Sequence, residues 1–275
     1  MSAPAWIHDL LGWKKATAKS TSRCQTIFGE TLAPNIADVG NVGSLRLTGH
    51  VFDSLGIPFS QRRQSAFESD VGGEEGSSGT ELEKGIASDM ASGLVALDPD
   101  RDWVISRIGA ASQFAQFAHL NELQGILDAN PALRASFARD YQVKTDIYVG
   151  VGNPSAARDL PVLHAAISSK WTIRSDRVQN VRHEFTTLVR NRRGRTPHLV
   201  LVTAEPQPTR LISIARGTGE VDAVYHMLFD ELDQAVNEVC AAHPGLAEQR
   251  SAWEEMIVQR RLRPYSQLAT DLVTT

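Results

Sequence analysis

The sequence predicts a mixed α/β fold, a central mixed β-sheet flanked by α-helices, and three observations carry that reading. Apolar residues alternate over 143–151 and again over 162–173, the period-two pattern of strands. Leu82, Ile86, Met90 and Leu94 recur at every fourth position, which lays one apolar stripe along a helix. From residue 175 onward helical and strand-like stretches follow one another, as they do in sheets with crossover helices.

The elements follow in chain order. The opening MSAPAWIHDLLGWKKATAKS has a short amphipathic piece but no basic stretch, long apolar core or small-residue cleavage site, so it is read as structure. FESDVGGEEGSSG at 67–79 is rich in Gly, Ser and acid and predicts a loop. The helix ELEKGIASDMASGLVAL comes next, with Glu83 set off its buried stripe. Helices are expected around 112–128 and 131–141, with Asn130 capping the second and Pro131 in its first turn. In VKTDIYVGV, Val143, Thr145, Ile147, Val149 and Val151 face one way and Lys144, Asp146 and Tyr148 the other. In VLHAAISSKWTI, Ala166, Ser168, Lys170 and Thr172 share a face opposite Ile167, Trp171 and Ile173. Ser175 suits the N-cap of a helix burying Val178, Val181, Phe185, Leu188 and Val189. HLVLVTA at 198–204 and RLISIA at 210–215 read as two further strands. A helix through Val221, Val224, Leu228, Leu232, Val236 and Val239 is expected after them. One domain spans 1–275 on this reading: a helical part to about 140, a catalytic and recognition core over about 141–240, and a C-terminal helix over about 246–263.

Composition narrows the function. With 42% hydrophobic and 22% charged residues the chain is ordinary globular protein, and no apolar run approaches the length of a membrane span. A cytoplasmic protein without a membrane partner is expected. Cys24 and Cys240 stand far apart and lack the spacing of a zinc site or disulfide framework. The net charge of −4 conceals an asymmetry: ten acidic residues lie between Glu68 and Asp102, and eight basic ones between Lys170 and Arg195. The second segment could meet phosphate, and a solvated face is the plainer reading.

The chemistry concentrates in SSKWTIRSDRVQNVRHE. Phosphodiester hydrolysis needs the phosphate charge offset and hydroxide supplied near neutral pH, which divalent ions held by carboxylates do. Magnesium needs only one or two side-chain carboxylates beside waters and the phosphate itself. Asp146 is the first candidate, and Glu184, on the helix after the second strand, can fold back toward it. Lys170 on the adjacent strand can orient the attacking water and offset developing charge, and Ser168 shares its face. Any one of these alone would be read as half of a surface salt bridge; the ordered set argues otherwise. Arg174, Asp176 and Arg177 stand at a helix N-terminus, the end that reading helices present to the major groove. Arginine pairs with guanine O6 and N7, and aspartate accepts from the cytosine amino group. On residue types alone RSDR could equally be a charged helix start.

SSKWTIRSDRVQNVRHE, followed by LVRNRRGRTPHLVLVTAEPQPTRLISIARGTGEVDAVYH, resembles the NgoMIV group of type II restriction endonucleases, within the PD-(D/E)XK nuclease superfamily. The match runs from about Leu163 to about Gln234, with weaker stretches at Gly79–Glu83 and Tyr141–Ile147. The resemblance implies a restriction-endonuclease-like fold and a metal site of Asp146, Lys170 and Glu184, with Ser168 in the pocket and Glu83 as a helix-borne carboxylate. Glu83 is preferred to Glu81 because Gly79 matches the family's glycine four residues earlier, and Glu81 stays open. Arg174, Asp176 and Arg177 would read the inner CCGG, and Asp38 and Arg210 the outer G:C pair, giving GCCGGC cut before the first C of CCGG. The resemblance further implies Mg2+, two ions per site, double-stranded DNA as substrate, a homodimer that pairs into a tetramer, and a cognate DNA methyltransferase. Thr145 replaces the family's motif proline, Gly76 replaces a glutamine that approaches the central bases, and the connection from Asp146 to Lys170 is shortened. The rival functions are a DNA-binding regulator that does not cleave and a same-fold nuclease acting on branched or damaged DNA.

Four further signals are given plainer readings. GTGE at 217–220, placed between a strand and a helix, is a tight turn, not a nucleotide site. RNRRGR at 190–195 touches phosphate or solvent. QRRLR at 259–263 is a solvated helix face. His183 is expected to be exposed and His226 helical, neither with metal-ligand partners.

Overall fold

The computed structural model describes residues 3–64, 78–136, 144–152, 160–217 and 219–274. The chain opens with β1 (Trp13–Lys15), α1 (Thr21–Phe28) and β2 (Leu32–Pro34), where β1 and β2 form a small antiparallel pair. In α2 (Val42–Ser54) the Asn41 side chain accepts from the Ser44 N–H at 2.9 Å, satisfying one orphan donor of the first turn. The helix α3 (Ser78–Leu97) buries Leu82, Ile86, Met90 and Leu94, the predicted stripe. Then come β3 (Trp103–Ser106), α4 (His119–Ala129) and α5 (Pro131–Ser136). Asn130 caps α5 as expected, accepting from the Leu133 N–H at 3.1 Å.

The second half contains β4 (Ile147–Val151), β5 (Val162–Lys170), α6 (Ser175–Asn191), β6 (His198–Thr203), α7 (Pro208–Ala215) and β7 (Ala223–His226). It ends with α8 (Phe229–Ala242), α9 (Ala247–Val258), β8 (Leu262–Pro264) and α10 (Leu268–Thr274). Strands β3 to β8 make one mixed sheet in chain order, antiparallel from β3 to β5 and parallel from β5 to β8. Parallel neighbours need crossover connections, which α6, α7 and the pair α8–α9 supply. Seven of the nine β5 residues are buried, as befits a strand covered on both faces. The edge strands of the sheet are β3 and β8.

Several expected elements are corrected. RLISIA is not a strand but most of α7: Pro208 starts the helix, and Leu211, Ile214 and Ala215, at i, i+3 and i+4, are buried. Val221 and Val224 do not begin a helix, because Val224 lies in β7 and α8 starts only at Phe229. His226 therefore sits on a strand, and GTGE joins a helix to a strand, with Thr218 outside the described residues. QRRLR turns through Arg260, at a φ of 55°, into β8 and presents no helix face. Two 3-10 turns occupy 111–117 where the start of a helix was expected. β4 begins at Ile147, leaving Asp146 just before it, and β5 stops at Lys170. Arg174, not Ser175, holds the N-cap position of α6. The acidic loop at 67–79 falls almost wholly outside the described residues, as do Gly76, Val143 and the end of the helix expected at 131–141.

Candidate active site and base-reading surface

The register of β4 and β5 sets Ile147 opposite Ile167, which carries the preceding residue, Asp146, to the end of β5. Ser168, Ser169 and Lys170 of β5 then converge on one oxygen. Asp146 Oδ2 accepts from Lys170 Nζ at 2.8 Å, the Ser169 N–H at 2.6 Å and Ser168 Oγ at 3.1 Å. Burial alone would lower the Lys170 ammonium, but Asp146, and behind it Glu184 and Glu83, outweigh burial and hold it above its ordinary value.

Glu184 reaches this pocket because α6 turns Val181, Phe185 and Leu188 into the core, each without exposed surface and each contributing roughly 1.5–3 kcal/mol. Burial pushes its carboxyl up to about 7; Lys170 pulls the other way and Asp146 adds to the rise. Its Oε2 is buried with no hydrogen-bond partner. An orphaned carboxylate oxygen beside a second carboxylate is the environment that a hard cation relieves, so the donor set fits Mg2+. Among the described residues, no three Asp, Glu, His or Cys side chains are gathered closely enough to cage an ion unaided. Magnesium does not require such a cage.

Glu83 comes from α3, whose start is tied to the site by the Trp171 indole donating to the Ser78 carbonyl at 2.8 Å. Burial raises its carboxyl and Asp146 adds to this, with Arg107, 3.6 Å away, and Lys170 opposing. Glu81 instead pairs with Lys84 at 2.7 Å on the outer side of the helix. The fold thus turns Glu83, not Glu81, toward Asp146.

The residues expected to read bases fall into two groups. At the tip of α6, Arg174 and Asp176 are open to solvent, with side chains 49% and 65% exposed and 3.7 Å apart. Arg177 is folded inward: its Nη1 donates to both the carbonyl and the hydroxyl of Thr172 at 3.2 Å. Elsewhere Arg210, on α7, forms an ion pair with Asp38, although 172 positions separate them. Asp38 is held by its own N–H donating to Ser44 Oγ and by Oδ1 accepting from the Gly40 N–H, both at 2.9 Å.

The sequence reading missed Arg107, the Ser169 backbone and Glu205. Glu205 is a fully buried acid whose carboxyl burial pushes up to about 7, against the hydrogen bonds from Ile173 and Gln207 and the charge of Arg210. The available signal was a lone acid two residues after β6, whose interior, Leu199–Val202, is wholly apolar.

Comparison with known proteins identifies the family. The family model for the NgoMIV restriction enzyme matches residues 151–274. The type II restriction enzyme NgoMIV of Neisseria gonorrhoeae is 37% identical over 199 residues, covering 62% of this chain and 68% of that protein. The chain belongs to the NgoMIV family. As a member of the NgoMIV family it is a type II restriction endonuclease, a site-specific endodeoxyribonuclease, and its helix-flanked mixed sheet is the restriction-endonuclease-like fold. The NgoMIV match at 151–274 takes in Lys170, Glu184, the α6 tip and Arg210, while Asp38, Glu83 and Asp146 lie before it. No described helix is long and apolar enough to cross a membrane.

Proposed function

We propose that this enzyme hydrolyses duplex DNA at GCCGGC, before the first C of CCGG, leaving a 5′ overhang. The supporting observation is the convergence of Lys170, Ser168 and the Ser169 N–H on Asp146 Oδ2, beside the orphaned oxygen of Glu184, where β5 ends and the chain enters the α6 tip. Cleavage and reading would then share one continuous element. Asp146 and Glu184, with Glu83 behind, hold Mg2+, two ions per site. Bound magnesium offsets phosphate charge and makes hydroxide available near neutral pH. Lys170 orients the attacking water and counters charge growing on the phosphate, while Ser168 and the Ser169 N–H keep Asp146 in place.

Arg174, Asp176 and Arg177 read the inner CCGG, and Arg177 exchanges Thr172 for a base when DNA arrives. Asp38 and Arg210 read the outer pair, their mutual ion pair opening toward guanine and cytosine. A palindromic site matches a two-fold homodimer, and two dimers pair into a tetramer. The enzyme works in the cytoplasm beside a cognate DNA methyltransferase that protects host sites.

The test incubates the purified enzyme and magnesium with a plasmid carrying GCCGGC sites and another lacking them. Discrete fragments from the first alone are expected. Tight binding without cutting points to a regulator and sinks the reading, as do cuts confined to branched or damaged DNA.

A further inference from the structure

Glu205 lies between β6 and α7, and its carboxylate meets two segments that the chain keeps far apart. Oε2 accepts from the Ile173 N–H at 2.6 Å, one residue before Arg174. Oε1 accepts from the N–H of Gln207, the N-cap of the helix carrying Arg210, at 3.0 Å. Arg210 Nη1 lies 3.9 Å from Oε2, while its Nη2 pairs with Asp38.

The backbone of Glu205 is itself pinned. Its N–H donates to Thr203 Oγ1 at 3.2 Å, and its carbonyl is 3.0 Å from His226 Nε2. His226 Nδ1 accepts from the Leu228 N–H at 3.1 Å, so Nε2 carries the proton and donates to Glu205. Burial also holds the His226 ring well below its usual range, at about 4, which keeps it neutral.

A fully buried carboxylate is expensive unless its oxygens are bonded. An apolar residue here would leave the Ile173 and Gln207 N–H groups without their acceptor, so this carboxylate is what ties the segment leading into α6 to the start of α7. We infer that Glu205 is a positioning residue for specificity, setting the α6 tip, with Arg174, Asp176 and Arg177, at a fixed distance from the Arg210–Asp38 pair. It contacts no base itself. Inner and outer pairs of one DNA site lie at a fixed spacing, and readers on two separate elements need a rigid link to match it.

This rests on the proposed reading of GCCGGC. Glu205→Gln keeps the side-chain volume but offers one acceptor oxygen and one NH2, so either the Ile173 or the Gln207 N–H faces a donor. The full-length enzyme with magnesium is assayed for kcat/KM on GCCGGC and on ACCGGT in identical flanks. Wild type is expected to prefer the first by about tenfold or more. In E205Q the preference falls by at least about fivefold, through a larger loss on GCCGGC than on ACCGGT. Equal proportional losses on both duplexes overturn the inference and leave Glu205 merely structural. A wild type that does not distinguish the duplexes sinks the recognition reading instead. Should E205Q fail to fold, the same ratio is read on Glu205→Asp, which keeps the charge and shortens the reach; an unchanged ratio there overturns the inference too.

Discussion

Replacing Glu184 by Gln should abolish cleavage yet stabilise the metal-free enzyme at alkaline pH. The carboxyl rises from its ordinary 4.5 to about 7 in the folded state, chiefly through burial, with Asp146 adding to the rise. A folded state that holds its proton more tightly than the unfolded chain gains stability that is fully present below pH 4.5 and is lost as pH climbs through 7. At about 1.4 kcal/mol per pH unit the difference is about 3 kcal/mol. Because Glu184 is only partly buried, solvent screening reduces this to about 1.5 kcal/mol. The amide carries no charge, so Glu184→Gln escapes the loss and should melt about 3–6 °C above wild type at pH 8.5 in chelator. At pH 5 the two should differ by only about 1 °C, since wild-type Glu184 is then protonated in the fold. Thermal unfolding at both pH values, with a plasmid assay beside it, measures the effect. Equal stabilisation at pH 5 and 8.5, or a less stable variant at 8.5, refutes the account of Glu184 as a carboxylate awaiting a cation.

Other expectations follow from the same geometry. Lys170→Ala should lower cleavage by at least about a thousandfold while leaving duplex affinity within about threefold of wild type in a calcium gel-shift assay; lost binding would place Lys170 in recognition. Arg210→Ala should relax the outer pair, narrowing the gap between GCCGGC and ACCGGT in a cleavage competition, and unchanged selectivity would remove Arg210 from that role. Thr172→Val strips the hydroxyl that accepts from Arg177 and should alter affinity for CCGG duplexes, measured by fluorescence anisotropy, with little change at unrelated sequences. Leu211→Ala, in the fully buried face of α7, should cost about 2–5 kcal/mol in denaturant unfolding. A loss under about 0.5 kcal/mol would show that this helix is not packed as described.

Much of the site was legible because its parts lie close in sequence. Ser168, Lys170, Arg174 and Glu184 fall within seventeen residues, so strand alternation and helix spacing alone place them on one strand–helix unit. The stripe on α3 and the cap of α5 were equally local. RLISIA misled because it is short, apolar and β-branched, properties that strands and buried helices share, and Pro208 was the overlooked sign of a helix start. Val224 carried a helical spacing by coincidence with Val221 and Leu228, and pairing with β6 and β8 decided its state.

The sequence by itself determined the helix-flanked mixed sheet, the catalytic run ending in RSDR and the resemblance to the NgoMIV group, because each rests on periodicity or on residues adjacent in the chain. Only the tertiary structure decided that Asp146 is gripped by β5 through one oxygen and that Glu83 rather than Glu81 turns inward. It alone revealed that Arg177 is folded back on Thr172, and that Glu205 joins the α6 tip to the Asp38–Arg210 pair. Those facts depend on strand register, on which face a helix buries and on which acceptors a buried donor can reach, and residues far apart in the chain settle such matters only when the sheet assembles.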